Sequence, residues 1–381
     1  MKFMHLSDLH LGKRVHNFSM IEDQKYILDQ IITIVDEERV TGVIIAGDVY
    51  DKPVPSAEAV ALFDEFLVNL SKRNLNVFVI SGNHDSPERI AFGEKLMRHS
   101  GVYMSPVYNG EIEPVQLTDE FGNINVYLLP FVKPVHVKHY CDKDEIQDYT
   151  EAIGCVIEQL DLNNDERNIL VCHQFVTGAT RSESEEISVG GLDNVDASVF
   201  APFDYVALGH IHGPQNIGSE KIRYCGTPLK YSFSEADHKK SVTLLDIGKK
   251  GEIEVYTKEL VPVRDLLKIK GFFKEVTDKS FYEKMDTESY VQITLLDEQD
   301  ISNAFGKLAT IYPNLMLMRY ENRRTMAKDD VLSNGESLNM SPEVLFSQFY
   351  ETMNNQPMTE EQADYMLKKI EKIWGMENET C

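Results

Sequence analysis

The chemistry in this sequence gathers first at Gly82-Asn83-His84-Asp85. These residues follow the apolar run 76–80, whose length and β-branched content are those of a buried strand. A strand that gives way to Asn, His and Asp sets an amide, an imidazole and a carboxylate in one tight turn. Packing does not require them there. Ligands of open α/β sheets bind just beyond the carboxyl ends of the strands, so such a turn lies where chemistry is done. Four more apolar stretches end the same way. Residues 1–6 run into Ser7-Asp8-Leu9-His10, 40–46 into Gly47-Asp48, 168–172 into His173, and 203–208 into Gly209-His210-Ile211-His212. Each turn alone has an ordinary structural explanation. Five of them on one edge of one sheet are expected to form a site.

The donor set says which site. Asp8, His10, Asp48, Asn83, His173, His210 and His212 supply carboxylate, imidazole and amide oxygen. That mixture suits Mn, Fe or Zn better than Mg or Ca. Seven groups exceed what one ion with open positions takes from protein. They suit two ions about 4 Å apart, bridged by one carboxylate. Asp48, at the end of a central strand, is the natural bridge. Asp8 with His10, and His210 with His212, are spaced by two, which in extended chain aims both members of a pair to one side.

The elements that must hold these turns read as strand, helix, strand, helix, strand over the first 80 residues. The helix over 22–39 carries Ile27, Leu28, Ile31, Ile34 and Val35 at helical spacing, and Ser56 caps a second through Leu62, Phe63, Phe66, Leu67 and Leu70. That is an α/β pattern with a covered sheet. A hairpin turning at Gly122-Asn123, a helix over 151–160 and a polar loop over 177–191 follow. Strands at 222–225 and 241–245 are joined through Gly226-Thr227-Pro228. A boundary near 258–264 closes a first domain, 1–258. Strands at 267–269, 290–295 and 315–320, separated by helical stretches around Phe281 and over 301–311, make a small α+β domain, 265–324. Residues 325–340 read as a linker and 341–376 as a helix pair. Ser341 and Pro342 begin the first of these helices, with Leu345, Phe346, Phe349, Tyr350 and Met353 on one face. Thr359 and Gln362 make a capping box for the second, with Ala363, Met366, Leu367, Ile370, Ile373 and Trp374 on one side.

The formal charge, 38 − 62 = −24, argues against a protein that coats nucleic acid by its overall charge. The five scattered cysteines (Cys141, Cys155, Cys172, Cys225, Cys381) are expected as reduced thiols. No apolar leader and no bilayer-length stretch is present, so the expectation is a cytoplasmic protein without a membrane partner.

Taken in order, Asp8-x-His10, Gly47-Asp48, Gly82-Asn83-His84-Asp85, His173 and Gly209-His210-x-His212 resemble the signature of the calcineurin-like metallophosphoesterases. The resemblance implies a metallophosphoesterase β-sandwich of mixed sheets flanked by helices. It implies that Asp8, His10, Asp48 and His212 hold one ion, and that Asp48, Asn83, His173 and His210 hold the other. It makes His84 the group that protonates or stabilises the leaving oxygen, and Asp85 the group that orients the His84 ring. Cys172 stands where many relatives have Gly, and is expected to be a small buried hydrophobe rather than a ligand.

Further stretches narrow the family. Val189-Gly190-Gly191, the run from Asp204 to Gln215 and the run from Tyr224 to Glu235 are similar to the SbcD family, nuclease subunits of bacterial SbcC–SbcD complexes. The small domain then resembles that family's capping domain, and 341–376 its segment for a coiled-coil ATPase partner of the SbcC type. The resemblance implies an ATP-dependent double-strand exonuclease and single-strand or hairpin endonuclease, using Mn2+. It implies a homodimer inside a heterotetramer, acting in DNA repair, replication and recombination. ATP would belong to the partner, because this chain has no phosphate-binding Gly-rich loop with Lys. Two divalent ions would add about four positive charges where the DNA phosphate sits. Lys13, Arg14, Arg89, Lys133 and Lys138 are candidates to line the approach, and stand-alone DNA binding is expected to be weak. Residues 134–139, with two histidines, are expected to be a loop and not a third metal site. A small-molecule or cyclic-nucleotide phosphodiesterase with the same seven ligands, and a non-catalytic scaffold, stay open as alternatives.

Overall fold

The computed structural model describes residues 1–141, 146–182, 184–185, 194–322, 325, 343–344, 346–347, 350 and 357–377. The helix start at Ser341-Pro342, its face residues Leu345, Phe349 and Met353, and Val189-Gly190-Gly191 lie outside them. So does the linker, apart from Thr325. The chain divides into two compact units, Met1–Asp265 and Leu266–Cys381.

In chain order the strands of the two main sheets of the first unit are β1 (Lys2–Leu6), β2 (Gly42–Ala46), β3 (Asn76–Ile80), β4 (Val102–Met104), β5 (Val115–Asp119), β6 (Gly122–Leu129), β7 (Arg167–His173), β8 (Tyr205–Gly209), β9 (Gln215–Ile217), β10 (Ser219–Tyr224), β11 (Ser241–Ile247) and β12 (Ile253–Glu259). Its longer helices are α1 (Ile21–Glu38), α2 (Ala57–Ser71) and α3 (Tyr149–Glu158).

Two six-stranded sheets result, with orders β12-β11-β1-β2-β3-β4 and β9-β10-β8-β7-β6-β5. This corrects the expectation of one sheet: β1, β2 and β3 lie in the first, β7 and β8 in the second. Both sheets are mixed. β1 runs parallel to β2 and antiparallel to β11, while β7 runs parallel to β6 and β8, and β6 antiparallel to β5. The strands at 222–225 and 241–245 are not sheet neighbours, since β10 ends the path through the second sheet and β11 returns to the first.

Alternation explains the layers. Phe3, Ile44, Ala46, Phe78 and Ile80 from one sheet meet Ile124, Val126, Leu128, Ile169, Val171, Tyr205 and Ala207 from the other. The residues between them, such as Met4, Val43, Ile45, Val77 and Val79, are also buried, on the opposite face. Strands covered on both faces read as continuous apolar runs, which is how they stood in the sequence. On the outer face of the second sheet, Leu170, Cys172, Val206 and Leu208 pack with Ile153, Val156 and Ile157 of α3. Ser56 caps α2, its hydroxyl accepting from the Ala59 amide at 3.2 Å.

Cys141 and Cys155 are joined as a disulfide, with Cα atoms 6.6 Å apart, which corrects the expectation of reduced thiols throughout. They are 14 residues apart in the chain, and only folding of α3 against the 134–141 segment brings them together.

In the second unit, β13 (Leu266–Gly271), β14 (Tyr290–Leu295) and β15 (Leu315–Tyr320) form a parallel sheet. Short helices Phe273–Val276, Lys279–Tyr282 and Ala304–Ala309 connect them, and Val276, Val291, Ile293, Leu308 and Tyr312 make the core. The helix α4 (Glu360–Glu377) carries the Thr359–Gln362 capping box: the Gln362 side chain accepts from Thr359 N at 3.0 Å and Thr359 Oγ1 from Gln362 N at 3.3 Å. No described helix is long and apolar enough to cross a membrane.

Candidate metal centre

The two sheets pinch together at the carboxyl ends of β2, β7 and β8. A Cβ on Gly209 would overlap the Ala46 carbonyl oxygen, so only glycine fits. Face-packed sheets ordinarily lie about 10 Å apart. His173 Nδ1 donates to that same Ala46 oxygen at 2.8 Å, which leaves its Nε2 lone pair facing the cleft.

The five turns meet in this pinch. His173 Nε2 is 3.4 Å from Asp48 Oδ2 and 3.0 Å from Asn83 Oδ1. His210 Nδ1 reaches the same Asn83 oxygen at 2.9 Å. On the other side His10 Nε2 is 3.8 Å from Asp48 Oδ2 and 3.2 Å from His212 Nε2. Asp8 takes the His210 amide at 3.1 Å on each oxygen, and Asp48 takes the His84 amide at 2.9 Å. Three sets of side chains place their donor atoms close enough together for an ion: Asp8, His10 and His212; Asp8, Asp48 and His173; His10, Asp48 and His84.

The local backbone is unusual in the way functional turns often are. Asp8, His10, Asp48 and His210 all have positive φ, between 45° and 98°. Neither Asp8–His10 nor His210–His212 is therefore extended, and the spacing-by-two expectation does not hold. His210 turns toward Asn83 while His212 turns toward His10. Side chains near the turns hold this shape. Gln24 of α1 donates to the His10 carbonyl at 2.7 Å and accepts from Gly12 N at 3.0 Å. Tyr231 donates to the Leu9 carbonyl at 2.6 Å and sets its ring edge-on to His10.

Electrostatics fit a cation. Burial pushes the Asp8 carboxyl up to about 6, with Asp48 adding to the rise against the pull of His173 and His212. Burial also drives the His10 ring well below its ordinary value and His210 down to about 3. For His173 burial acts the same way, but Asp48 overrides it and lifts the ring to about 9. His10 Nδ1 is buried with no hydrogen-bond partner, and its Nε2 points at another imidazole nitrogen. His10 and His210 turn unprotonated nitrogens into the cleft, and the proton that Asp48 draws onto His173 Nε2 is one that a bound divalent ion would replace.

The outer contacts repeat this logic. His212 Nδ1 donates to Ser184 Oγ at 2.7 Å, and Ser184 donates to Glu235 Oε1 at 2.5 Å. Burial disfavours charge on Glu235, but His212 and Lys240 hold it down to about 2. The His212 Nε2 lone pair is thereby turned toward the cleft. Sequence reasoning missed Ser184, Glu235 and Gln24. None lies in a strand-end turn, and only proximity after folding marks them.

One expected contact is absent. Asp85 does not touch the His84 ring. Its oxygens accept from three backbone amides, Val49 at 3.0 Å, Tyr50 at 2.9 Å and Gly82 at 2.9 Å, so it shapes the turns. Burial and the Asp48 charge raise it to about 7 against the pull of those amides. The ring of His84 is held by Nδ1 donating to the Asp51 carbonyl at 3.1 Å, which presents Nε2 to the half-open mouth. Cys172 is buried in the outer core, its thiol pushed up to about 12 by burial, and lies on the opposite face from His173. Lys13 is paired with Asp51 at 2.7 Å. Residues 134–137 form a helical turn, where a loop was expected, and join none of the ion-sized clusters among the described residues.

Comparison with known proteins decides the family. The calcineurin-like phosphoesterase model matches residues 1–214. A model described as the type 5 capsule protein repressor C-terminal domain matches 262–354. The chain is 31% identical over 368 residues to the D subunit of nuclease SbcCD from Staphylococcus epidermidis, covering 96% of each. The chain belongs to the SbcD family. Like other members built on the calcineurin-like fold, it is a phosphodiester hydrolase. Solved structures that resemble it include a dimetal phosphatase from Danio rerio, 14% identical, with a TM-score of 0.41 over 68% of this chain and 96% of that one. A protein from Thermus thermophilus is 12% identical, with a TM-score of 0.37 over 67% and 98%.

Proposed function

We propose that this SbcD-family chain is a two-metal DNA nuclease subunit. With an SbcC-type ATPase it degrades double-stranded ends, and it opens single strands and hairpins, in DNA repair, replication and recombination. The observation that carries this reading is the convergence of Asp8, His10, Asp48, Asn83, His173, His210 and His212 on one pinch between two sheets, in a member of a nuclease family. Asp8, His10, Asp48 and His212 are assigned to one Mn2+, and Asp48, Asn83, His173 and His210 to the other. Bound ions supply Lewis acidity and a water acidic enough to attack at neutral pH. The protein's own residues do the rest. Asp48 ties the two halves together, since its Oδ2 faces both His10 and His173. Ala46 and Ser184 fix the tautomers of His173 and His212. His84 stands at the mouth with Nε2 free of the Asp51 contact, placed to give its proton to the departing sugar oxygen. Residues 341–376 serve as the ATPase-binding segment, and the chain acts as a homodimer within a heterotetramer.

The test is a Mn2+-dependent assay on hairpin DNA, with and without the ATPase partner, for the natural chain and His84→Ala. His84→Ala is expected to keep its Mn2+ and lose cleavage by about 10²–10⁴-fold. Retained cleavage would remove His84 from that role. Hydrolysis of a cyclic nucleotide in preference to the hairpin would replace the nuclease reading with a small-molecule phosphodiesterase. Deleting 341–381 should abolish complex formation while sparing hydrolysis of simple diesters.

A further inference from the structure

A chain with a net charge of −24 must still hold a polyanion at its metal centre. Of the basic residues singled out in the sequence, Lys13 is paired with Asp51 and Arg14 donates to the Asn17 carbonyl. A cavity of about 540 Å³ beside His212 offers another answer. Its lining includes Arg181, His238 and Lys239, with Thr180, Ser182 and Gly213. Its volume lies in the range of pockets that take small ligands, about 300–1,000 Å³, and so exceeds what a bare phosphate needs.

The cavity adjoins the metal centre through named contacts. Gly213 follows His212 directly, and the His238 ring lies across it, 3.6 Å from where a Cβ would stand. His238 Nδ1 is buried without a hydrogen-bond partner. The Arg181 guanidinium stacks on the Phe175 ring at 3.6 Å, and Phe175 sets its ring 6.5 Å from His210. The wall is fixed: Gln215 pairs with both backbone groups of Thr180, each at 2.9 Å. Glu185 takes the His212 amide at 2.6 Å and also the Ser182 amide, so cavity wall and metal-site turn share one carboxylate.

We propose that this cavity seats the nucleotide next to the scissile phosphate, its phosphate held by Arg181 and Lys239 and its sugar and base beside His238 and Gly213. The proposal rests on the nuclease reading above and names where the DNA strand continues past the ions. An Arg stacked on an aromatic ring presents its fork in a fixed direction, which suits a phosphate.

The experiment compares the natural chain with Arg181→Ala/Lys239→Ala on two Mn2+-supplemented substrates, a single-stranded oligodeoxynucleotide and bis(4-nitrophenyl) phosphate, which has no neighbouring nucleotide. The double variant is expected to raise the KM for the oligonucleotide about tenfold or more and to flatten its salt dependence by about one to two ions. Its kcat/KM on the small diester should change less than about twofold, because that substrate never enters the cavity. Binding of the labelled oligonucleotide in EDTA, read by fluorescence anisotropy, should weaken in parallel. An unchanged KM and salt slope would overturn the proposal. So would equal losses on both substrates, which would make these residues supports of the His212 turn. If the natural chain cleaves the small diester but no oligonucleotide, the nuclease reading itself fails. If it cleaves DNA and the variant does not differ, only the cavity assignment fails.

Discussion

His173 on β7 donates from Nδ1 to the carbonyl of Ala46 on β2, 2.8 Å away, and so joins the two sheets at the end where the donor atoms gather. The carbonyl can only accept, so this bond also decides which His173 nitrogen faces Asp48. Gly209 lies against the same carbonyl with no room for a Cβ. Gly209→Ala is therefore expected to wedge the sheets apart there and displace His173 and His210. A misplacement of about 1 Å at a reacting centre costs about a hundredfold, and the variant should lose at least that much Mn2+-dependent diester hydrolysis. Steady-state assays beside a circular dichroism spectrum check it; normal activity would mean the pinch is not needed.

Ser184 links His212 to Glu235. Groups that orient a ligand imidazole from behind typically contribute a factor of about 10–100 in metal affinity. Ser184→Ala leaves His212 Nδ1 3.6 Å from the Glu235 carboxylate, too far for a direct bond, and should weaken Mn2+ binding by that factor. Calorimetric titration measures it, and an unchanged affinity would make the link incidental.

His5 lies between the sheets, fully buried, with Tyr205 OH at 3.0 Å and the Leu208 carbonyl at 3.2 Å. Burial, with the Arg223 charge, holds its ring down to about 3 from 6.5. Between those values the unfolded chain binds a proton that the folded chain does not. The stability this neutral ring contributes is present above about pH 6.5 and is lost as pH falls toward 3, by up to about 1.4 kcal/mol per pH unit. In EDTA, urea unfolding of His5→Gln should lack that part of the slope. Identical slopes for variant and natural chain would show that His5 is not the titrating group.

Arg167 is buried to 2% exposure at the start of β7. Its guanidinium meets Asp119 at 2.5 Å and the carbonyls of Gly122 and Gly248 at 2.6 and 2.8 Å, so it ties the β5–β6 hairpin to the end of β11. Asp119, paired with it, is held well below the usual carboxylate range. Arg167→Met leaves these carbonyls without their donor, while Asp119 keeps the Met1 ammonium and the Phe121 amide, and should cost about 1–3 kcal/mol in urea unfolding. A loss below about 1 kcal/mol would mean that water takes over its partners.

Much of this was legible in the sequence. The strands before Asp8, Asp48, Asn83, His173 and His210 showed themselves as apolar runs broken by polar turns, and all five turns meet. Their distribution over two sheets was hidden, because β2 and β7 have the same buried-strand composition and nothing local says which sheet each joins. The direction of His212 was hidden too, since the positive φ of His210 breaks the alternation that spacing assumes. Asp85 illustrates a third limit. Adjacent to His84 in the chain, it spends its oxygens on amides of another turn. The Cys141–Cys155 pair depends on the packing of α3, which cysteine spacing does not encode.

In the proposed two-metal site Asp48 stands between the two cations in the sheet pinch. Anomalous diffraction from a crystal grown with Mn2+ tests it most directly. Two peaks about 3.5–4 Å apart are expected, one on the His10–His212 side of Asp48 and one on the His173–His210 side. A single peak, or none within reach of Asp48, would contradict it.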